Sequence, residues 1–289
     1  MPIDHTRSNE SAYFIDPEDA AEMARLMHQD RLFTEGMGGL FPERSGDLSH
    51  IKDILDIACG PGAWVIDVAR SYPDVRVTGI DISKLMIEYA RAQARVQWLD
   101  NAHFEVMDAV KPLVFSDNSF DLVNARSIFG FMPTTAWPRL MQECMRIMRP
   151  GGVIRLTEFD TYGISNSPAC EKINELGLLA FKRAGQSFSP DARSLGITPM
   201  LSRFLREAGC VDIHHMAHAI DYSTGTEAHG AMYTNSKVVF KLSQPFMRKM
   251  DVAKQELLDA LYDQALREMA SEDFCGIWFY LTVYGTKPV

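Results

Sequence analysis

The chain has 289 residues, of which 46% are hydrophobic and 23% charged, and its formal net charge is −9. That length holds one large domain, or one domain with a sizeable insertion, and the composition is ordinary for a globular protein. The acidic balance, without any Lys/Arg-rich run, speaks against a nucleic-acid partner or an anionic membrane surface. Residues 1–11 are polar and lack the apolar core of a secretory signal. No apolar run reaches bilayer-crossing length, and the longest, 276–284, is a strand candidate. Cys59, Cys144, Cys170, Cys210 and Cys275 are odd in number, scattered and without C-x-x-C spacing. They read as reduced thiols of a cytoplasmic protein, with neither a disulfide frame nor a metal site expected. The partner expected is a small-molecule substrate, with assembly into a homo-oligomer left open.

In chain order, a helix is expected over 16–34. Asp16 would cap it, Pro17 take the first turn, and Glu18, Asp19 and Glu22 complement the dipole. A glycine-rich loop follows over 36–49. Strands are then expected near 53–58, 75–80, 102–106, 120–125 and 152–158, with helices near 62–71, 83–98 and 134–149. Strands alternating with helices imply a parallel sheet covered on both faces, with the active site outside the C-terminal strand ends. After Glu158 the pattern changes to a helix near 167–184, a loop over 186–190, a helix over 198–209 and a strand over 211–220. A last strand is expected over 276–285. Between the last two strands lies an insertion that includes 226–244 and a charged amphipathic helix near 251–270.

The most informative stretch is Asp53-Ile54-Leu55-Asp56-Ile57-Ala58-Cys59-Gly60-Pro61-Gly62. An apolar run stops at a Gly-x-Gly turn and an amphipathic segment begins at once, which reads as strand, tight turn and helix. Glycines let a ligand approach the backbone, and the helix start offers free N–H groups. A second run, Val75-Arg76-Val77-Thr78-Gly79-Ile80-Asp81, ends in an acid about twenty positions after the turn, suited to a ribose diol. The G-x-G-x-x-G/A pattern of nicotinamide sites would need a small third residue where Val65 stands. A nicotinamide-dependent oxidoreductase is therefore the weaker alternative, and a cofactor-binding module without catalysis is another.

The stretch Leu55-Asp56-Ile57-Ala58-Cys59-Gly60-Pro61-Gly62 resembles motif I of the class I S-adenosylmethionine-dependent methyltransferases. Asp81 is similar to their ribose-binding acid, and Val106-Met107-Asp108-Ala109 to the block facing the adenine. Ser119-Phe120-Asp121-Leu122-Val123-Asn124-Ala125 resembles their fourth strand, and Met148-Arg149-Pro150-Gly151-Gly152 the turn before the fifth. The resemblance implies an α/β, Rossmann-like methyltransferase sheet, mostly parallel with an antiparallel last strand, helices on both faces and helical lid additions. It implies S-adenosyl-L-methionine as cofactor, held by Tyr13, Asp56, Ala58, Gly60, Gly62, Asp81, Ile82, Met86, Asp108, Ala109, Asn124 and Arg126. Tyr13, with Glu22-Met23-Ala24-Arg25-Leu26 and Gln29, resembles the secondary-metabolism branch of that family. The expected division is a lid segment over 1–50, a core over 51–221 and 276–289 with a substrate segment at 160–200, and a helical insertion over 222–275.

On the substrate side, the fourth strand lacks the (N/D)-P-P-(Y/F) motif of amino-methylating enzymes. Phe129, Phe131, Met132 and Trp137 offer apolar surface there instead, either as an acceptor wall or as ordinary core. Phe129, Phe131, Tyr162 and Tyr233 are the acceptor candidates. Glu158, Arg126 and His214 are the catalytic candidates, with His215, His218 and His229 as further bases and Tyr222 as a further hydrogen-bond partner. Arg126 is read either as an anion partner or as a brace for Glu158, and Asp56 either as a cofactor group or as a buried acid held by turn amides. His214, Met216 and His218 alternate on one strand, so His214 and His218 stand roughly 13 Å apart and share no metal.

Overall fold

The first helix, α1 (Ala20–Gly36), begins later than the sequence suggests. Asp19, not Asp16, is its cap: the Asp19 carboxylate accepts from the Ala21 and Glu22 N–H groups at 2.7 and 3.3 Å. Asp16 instead accepts from Glu18 N–H at 3.0 Å, so Asp16-Pro17-Glu18-Asp19 closes a turn that hands the helix start to Asp19. These observations come from a computed structural model that describes residues 13–289. The polar stretch at residues 1–11 lies outside the described residues.

The alternating core follows as β1 (Asp53–Ile57), α2 (Ala63–Ser71), β2 (Arg76–Asp81), α3 (Lys84–Val96), β3 (Ala102–Val106), β4 (Phe120–Arg126), α4 (Trp137–Ile147) and β5 (Met148–Glu158). Then come β6 (Ile164–Ser165), α5 (Pro168–Arg183), α6 (Thr198–Ala208), β7 (Val211–Asp221), α7 (His229–Leu242), α8 (Gln244–Lys249), α9 (Gln255–Met269) and β8 (Gly276–Thr286). The sheet order is β3-β2-β1-β4-β5-β8-β6, with β7 also paired to β8. β1 to β5 are parallel neighbours, and β8 runs antiparallel to β5, β6 and β7. This is the expected Rossmann-like order with one reversed strand. The two-stranded end forms although residues 222–275 separate its strands.

The period of two along β1 builds both faces of the sheet. Ile54 packs with Trp64, Val65, Ile87 and Phe104 under α2 and α3, whereas Leu55 and Ile57 pack on the opposite face with Trp137, Leu140 and Met141. Burying each such side chain contributes about 1.5–3 kcal/mol. Gly62 caps α2 at φ +80°, and a Cβ there would stand 2.6 Å from Phe104 and 2.8 Å from Ala90. That glycine serves the packing of α2 and α3 on the sheet. Ser83 caps α3 by accepting from Met86 N–H at 3.1 Å.

Three features were not foreseen. β5 starts at Met148, so the Pro-Gly-Gly turn lies inside the strand, where its pairing with β4 is irregular. The short β6 extends the far edge. The insertion folds as three helices, and the first of them, α7, packs against α1.

Candidate active site

A cavity of about 590 Å³ opens at the C-terminal ends of β1, β2, β4 and β5, a size typical of cofactor and small-ligand sites. Ala58, Gly60 and Pro61 reach it from β1, Asp81 and Ile82 from β2, and Asp108 and Ala109 from the loop after β3. Met86 enters from α3, Arg126 and Phe129 from the end of β4, and Phe159 and Tyr162 from beyond β5. Trp278 and Tyr280 on β8 close the far wall. Leu26, Gln29, Asp30 and Phe33 of α1, with Asn235 and Val239 of α7, form the roof.

At the turn end, Gly60 has φ +53°, and a Cβ there would meet nothing nearer than Leu26 at 3.7 Å. The backbone is bare where a ligand would lie against it. The Asp81 carboxylate accepts from Gly60 N–H and Ser83 N–H, both at 2.9 Å, so it locks the turn. Each of its oxygens keeps a second lone pair, which a diol can use. Asp108 accepts from Val110 N–H at 3.0 Å and pairs with Lys111 at 3.2 Å.

Asp56 is 4% exposed, and burial lifts its pKa to about 7. The Asn124 amide donates to it at 2.7 Å, and the Asn124 carbonyl accepts from Arg155 at 2.8 Å. Arg155 in turn pairs with buried Glu43 at 2.8 Å. A buried carboxyl that is half protonated near neutrality can be ionised by an incoming ammonium group. Asp30 adds a second carboxyl: one oxygen pairs with Arg126, and the other is buried with no partner among the described residues. The bare Gly60 backbone, the lone pairs on Asp81 and these two carboxyls fit an amino-acid-bearing adenosine cofactor.

Several sequence expectations are corrected. Arg126 does not brace Glu158. It pairs with Asp30 and Thr34 of α1 and lies over the Trp64 ring at 5.4 Å. Glu158 is 1% exposed, accepts from Ile128 N–H at 2.8 Å and does not line the cavity. Burial pushes its pKa well above the usual carboxylate range. His214 is on exposed β7, stacked on Tyr284 at 5.4 Å and away from the cavity. Gly62, Asn124 and Tyr233 also fall outside the lining. Gly62 packs against α3 and β3, Asn124 sits behind Asp56, and α7 presents Asn235 in place of Tyr233. Tyr13, Asp56, Ala58, Gly60, Asp81, Ile82, Met86, Asp108, Ala109, Arg126, Phe129, Phe131 and Tyr162 do share the cavity. Among the described residues no three His, Cys, Asp or Glu side chains group as a metal site.

The roof is made by the two segments expected as a lid, but the polar ties within it were not foreseen. Arg25 donates to Glu22 at 2.6 and 2.7 Å, to Asn235 at 2.9 Å and to Gln29, while Tyr13 donates to Glu22 at 2.8 Å. Glu22, Arg25 and Gln29 follow the i, i+3, i+7 spacing of one helix face, a signal that a buried polar face was present. Trp278 and Tyr280 stand two apart on β8 and so share a face, a signal visible once that strand is placed beside β5.

Residues 54–152 match the family described as "Methyltransferase domain". The chain is 28% identical over 192 residues to demethylmenaquinone methyltransferase of Lactococcus lactis subsp. lactis (strain IL1403), covering 61% of this chain and 72% of that protein. It is 35% identical over 162 residues to 27-O-demethylrifamycin SV methyltransferase of Amycolatopsis mediterranei (strain S699), covering 54% of this chain and 55% of that protein. Its fold is similar to that of phosphoethanolamine N-methyltransferase 2 of Haemonchus contortus, solved with S-adenosyl-L-methionine. The TM-score is 0.52 at 18% identity, over 86% of this chain and 51% of that one. Thus the chain spans little more than half the length of some of these relatives. No helix among the described residues is long and apolar enough to cross a membrane.

Proposed function

We propose that this chain, whose residues 54–152 match a methyltransferase domain, is a class I S-adenosylmethionine-dependent methyltransferase that transfers a methyl group from that cofactor to an O, N or C atom of a small organic acceptor, by in-line displacement under a lid. The observation that carries this reading is the single continuous cavity running from the Gly60–Asp81 turn to the Phe159–Trp278–Tyr280 wall, roofed by α1 and α7. S-adenosylmethionine, when bound, supplies an electrophilic sulfonium methyl. Gly60, Asp81, Ile82, Asp108 and Ala109 would hold its adenosine part. Asp56, Asp30 and Arg126 would hold the charged groups of its amino-acid part.

The rest of the work falls to enclosure and alignment. Two reactants held in line in a closed site gain most of their rate from orientation, and excluded water strengthens each polar contact. No histidine reaches the cavity among the described residues, and burial raises the Tyr162 and Tyr280 hydroxyls, so these groups donate hydrogen bonds and do not take protons. The acceptor on this reading is a nucleophile that needs positioning more than deprotonation. The segment over 1–50 and the insertion over 222–275 serve as the lid, and 160–200 supplies part of the acceptor side. The similarity of the Tyr13 and Glu22–Gln29 pattern to secondary-metabolism enzymes supports a cytoplasmic role of that kind, without a nucleic-acid or membrane partner.

The test is a transfer assay with deuterated-methyl S-adenosylmethionine over a metabolite panel, read by mass. A labelled small-molecule product supports the reading. Cofactor binding without transfer across the panel favours the module that binds but does not catalyse.

A further inference from the structure

The far wall of the cavity carries an unusual polar signature. The Tyr162 hydroxyl, the Trp278 indole nitrogen and the Tyr280 hydroxyl are buried with no hydrogen-bond partner among the described residues. All three side chains line the cavity. A buried polar group without a partner is costly, and native proteins hold few of them. Three in one wall mark a place where something else supplies the partner.

The chemistry of that partner is constrained. An indole N–H only donates, so the missing group must bring lone pairs. The cationic side chains of the cavity are already matched by carboxylates: Arg25 by Glu22, Arg126 by Asp30 and Lys111 by Asp108. With Arg126 also committed to the cofactor's amino-acid part on the reading above, a phosphate or carboxylate on the acceptor would find no free counter-charge. The surrounding walls are aromatic, with ring centroids of Phe129 and Phe159 at 4.7 Å, Phe159 and Trp278 at 5.0 Å, and Phe159 and Tyr280 at 5.2 Å. Edge-to-face walls of this kind suit a flat apolar body.

We infer that Tyr162, Trp278 and Tyr280 form the recognition site for a carbonyl or hydroxyl oxygen on a flat, uncharged, ring-containing methyl acceptor. The inference rests on the methyl-transfer reading and names its substrate class. Water does not reach the three polar atoms in this closed arrangement. Entry of the acceptor therefore parts the wall, and its oxygen takes the place between the donors.

The experiment uses the full chain saturated with S-adenosylhomocysteine and two probes of matched shape, 2-naphthol and 2-methylnaphthalene. Calorimetry is expected to show 2-naphthol bound about tenfold or more tightly, with Tyr162→Phe and Tyr280→Phe each reducing that preference by about 2- to 10-fold, the range for one neutral hydrogen bond. Without any probe, the same two variants should melt at a higher temperature than the parent, because each deletes a hydroxyl that has no partner. A role in scaffolding alone would lower the melting temperature and leave the preference intact. Equal affinity for the two probes, or variants that lose stability and keep the preference, would overturn the inference. Failure of S-adenosylhomocysteine to bind would instead bring down the methyl-transfer reading, and this inference with it.

Discussion

Asn124 donates its side-chain amide to Asp56 at 2.7 Å, behind the glycine turn and out of reach of any ligand. Asp56 thus faces the cavity on one side and a buried amide on the other. The amide is fixed in turn by Arg155 at 2.8 Å, so the orientation of the carboxyl is set from deep within the sheet.

Asp56 makes the site pH-dependent. Burial raises its pKa from 3.8 to about 7. A carboxyl raised on folding contributes stability that is fully present below about pH 4 and is lost as pH rises through about 7. Asp56→Asn should therefore be more stable than the parent at pH 8, by at most roughly 4 kcal/mol, with the difference vanishing near pH 4. A cofactor ammonium needs the ionised carboxyl. Parent affinity for S-adenosylhomocysteine should fall by up to about tenfold per pH unit below 7, and the variant should lose this slope. Denaturant melts between pH 4 and 8 and calorimetry between pH 5.5 and 8 check both; identical slopes would remove Asp56 from the cofactor site.

Asp81→Ala should weaken the cofactor by about 1.5–3 kcal/mol, the range for losing a charged hydrogen-bond partner. The loss has two sources, since the carboxylate also fixes Gly60 N–H and Ser83 N–H. The fold should survive because Ser83 still caps α3. Unchanged affinity in a folded variant would take Asp81 out of the site.

Glu158 is a structural residue on this account. Its carboxyl holds the backbone after β4 at Ile128 and lies outside the cavity. Glu158→Gln keeps an acceptor there, so turnover should stay within a few-fold of the parent. Glu158→Ala should cost about 1–3 kcal/mol of stability by leaving a buried N–H unpaired. A turnover loss of about 10²–10⁴ in the Gln variant, with melting temperature and cofactor affinity intact, would restore Glu158 as a base.

The roof is expected to move. α1 and α7 are tied through Arg25 and Asn235 at 2.9 Å, and a roof that encloses reactants has to loosen for entry and release. Hydrogen exchange should slow in both helices when S-adenosylhomocysteine binds, and Asn235→Ala should speed exchange in α7. Equal exchange with and without ligand would make the two helices fixed scaffold.

What the sequence displayed was local and periodic. The run into Gly60, the Ser83 cap and the alternation of strands and helices through β5 depend on neighbours a few residues away, and each stands where the pattern put it. What it hid was pairing across the fold. Arg126 finds Asp30 on α1 and not nearby Glu158, because the roof brings a carboxylate to it from a distant part of the chain. Trp278 and Tyr280 read as one more strand, and they become a site wall only when β8 lies beside β5. α7 carries no capping side-chain hydrogen bond, so its start left no mark in the sequence.

The cofactor pocket is the claim on which the rest depends, and calorimetry on the full chain tests it most directly. S-adenosylmethionine and S-adenosylhomocysteine should bind with micromolar affinity, about −8 kcal/mol, and a nicotinamide dinucleotide should give no heat. Clear binding of the dinucleotide, with none of either adenosyl compound, would contradict the account.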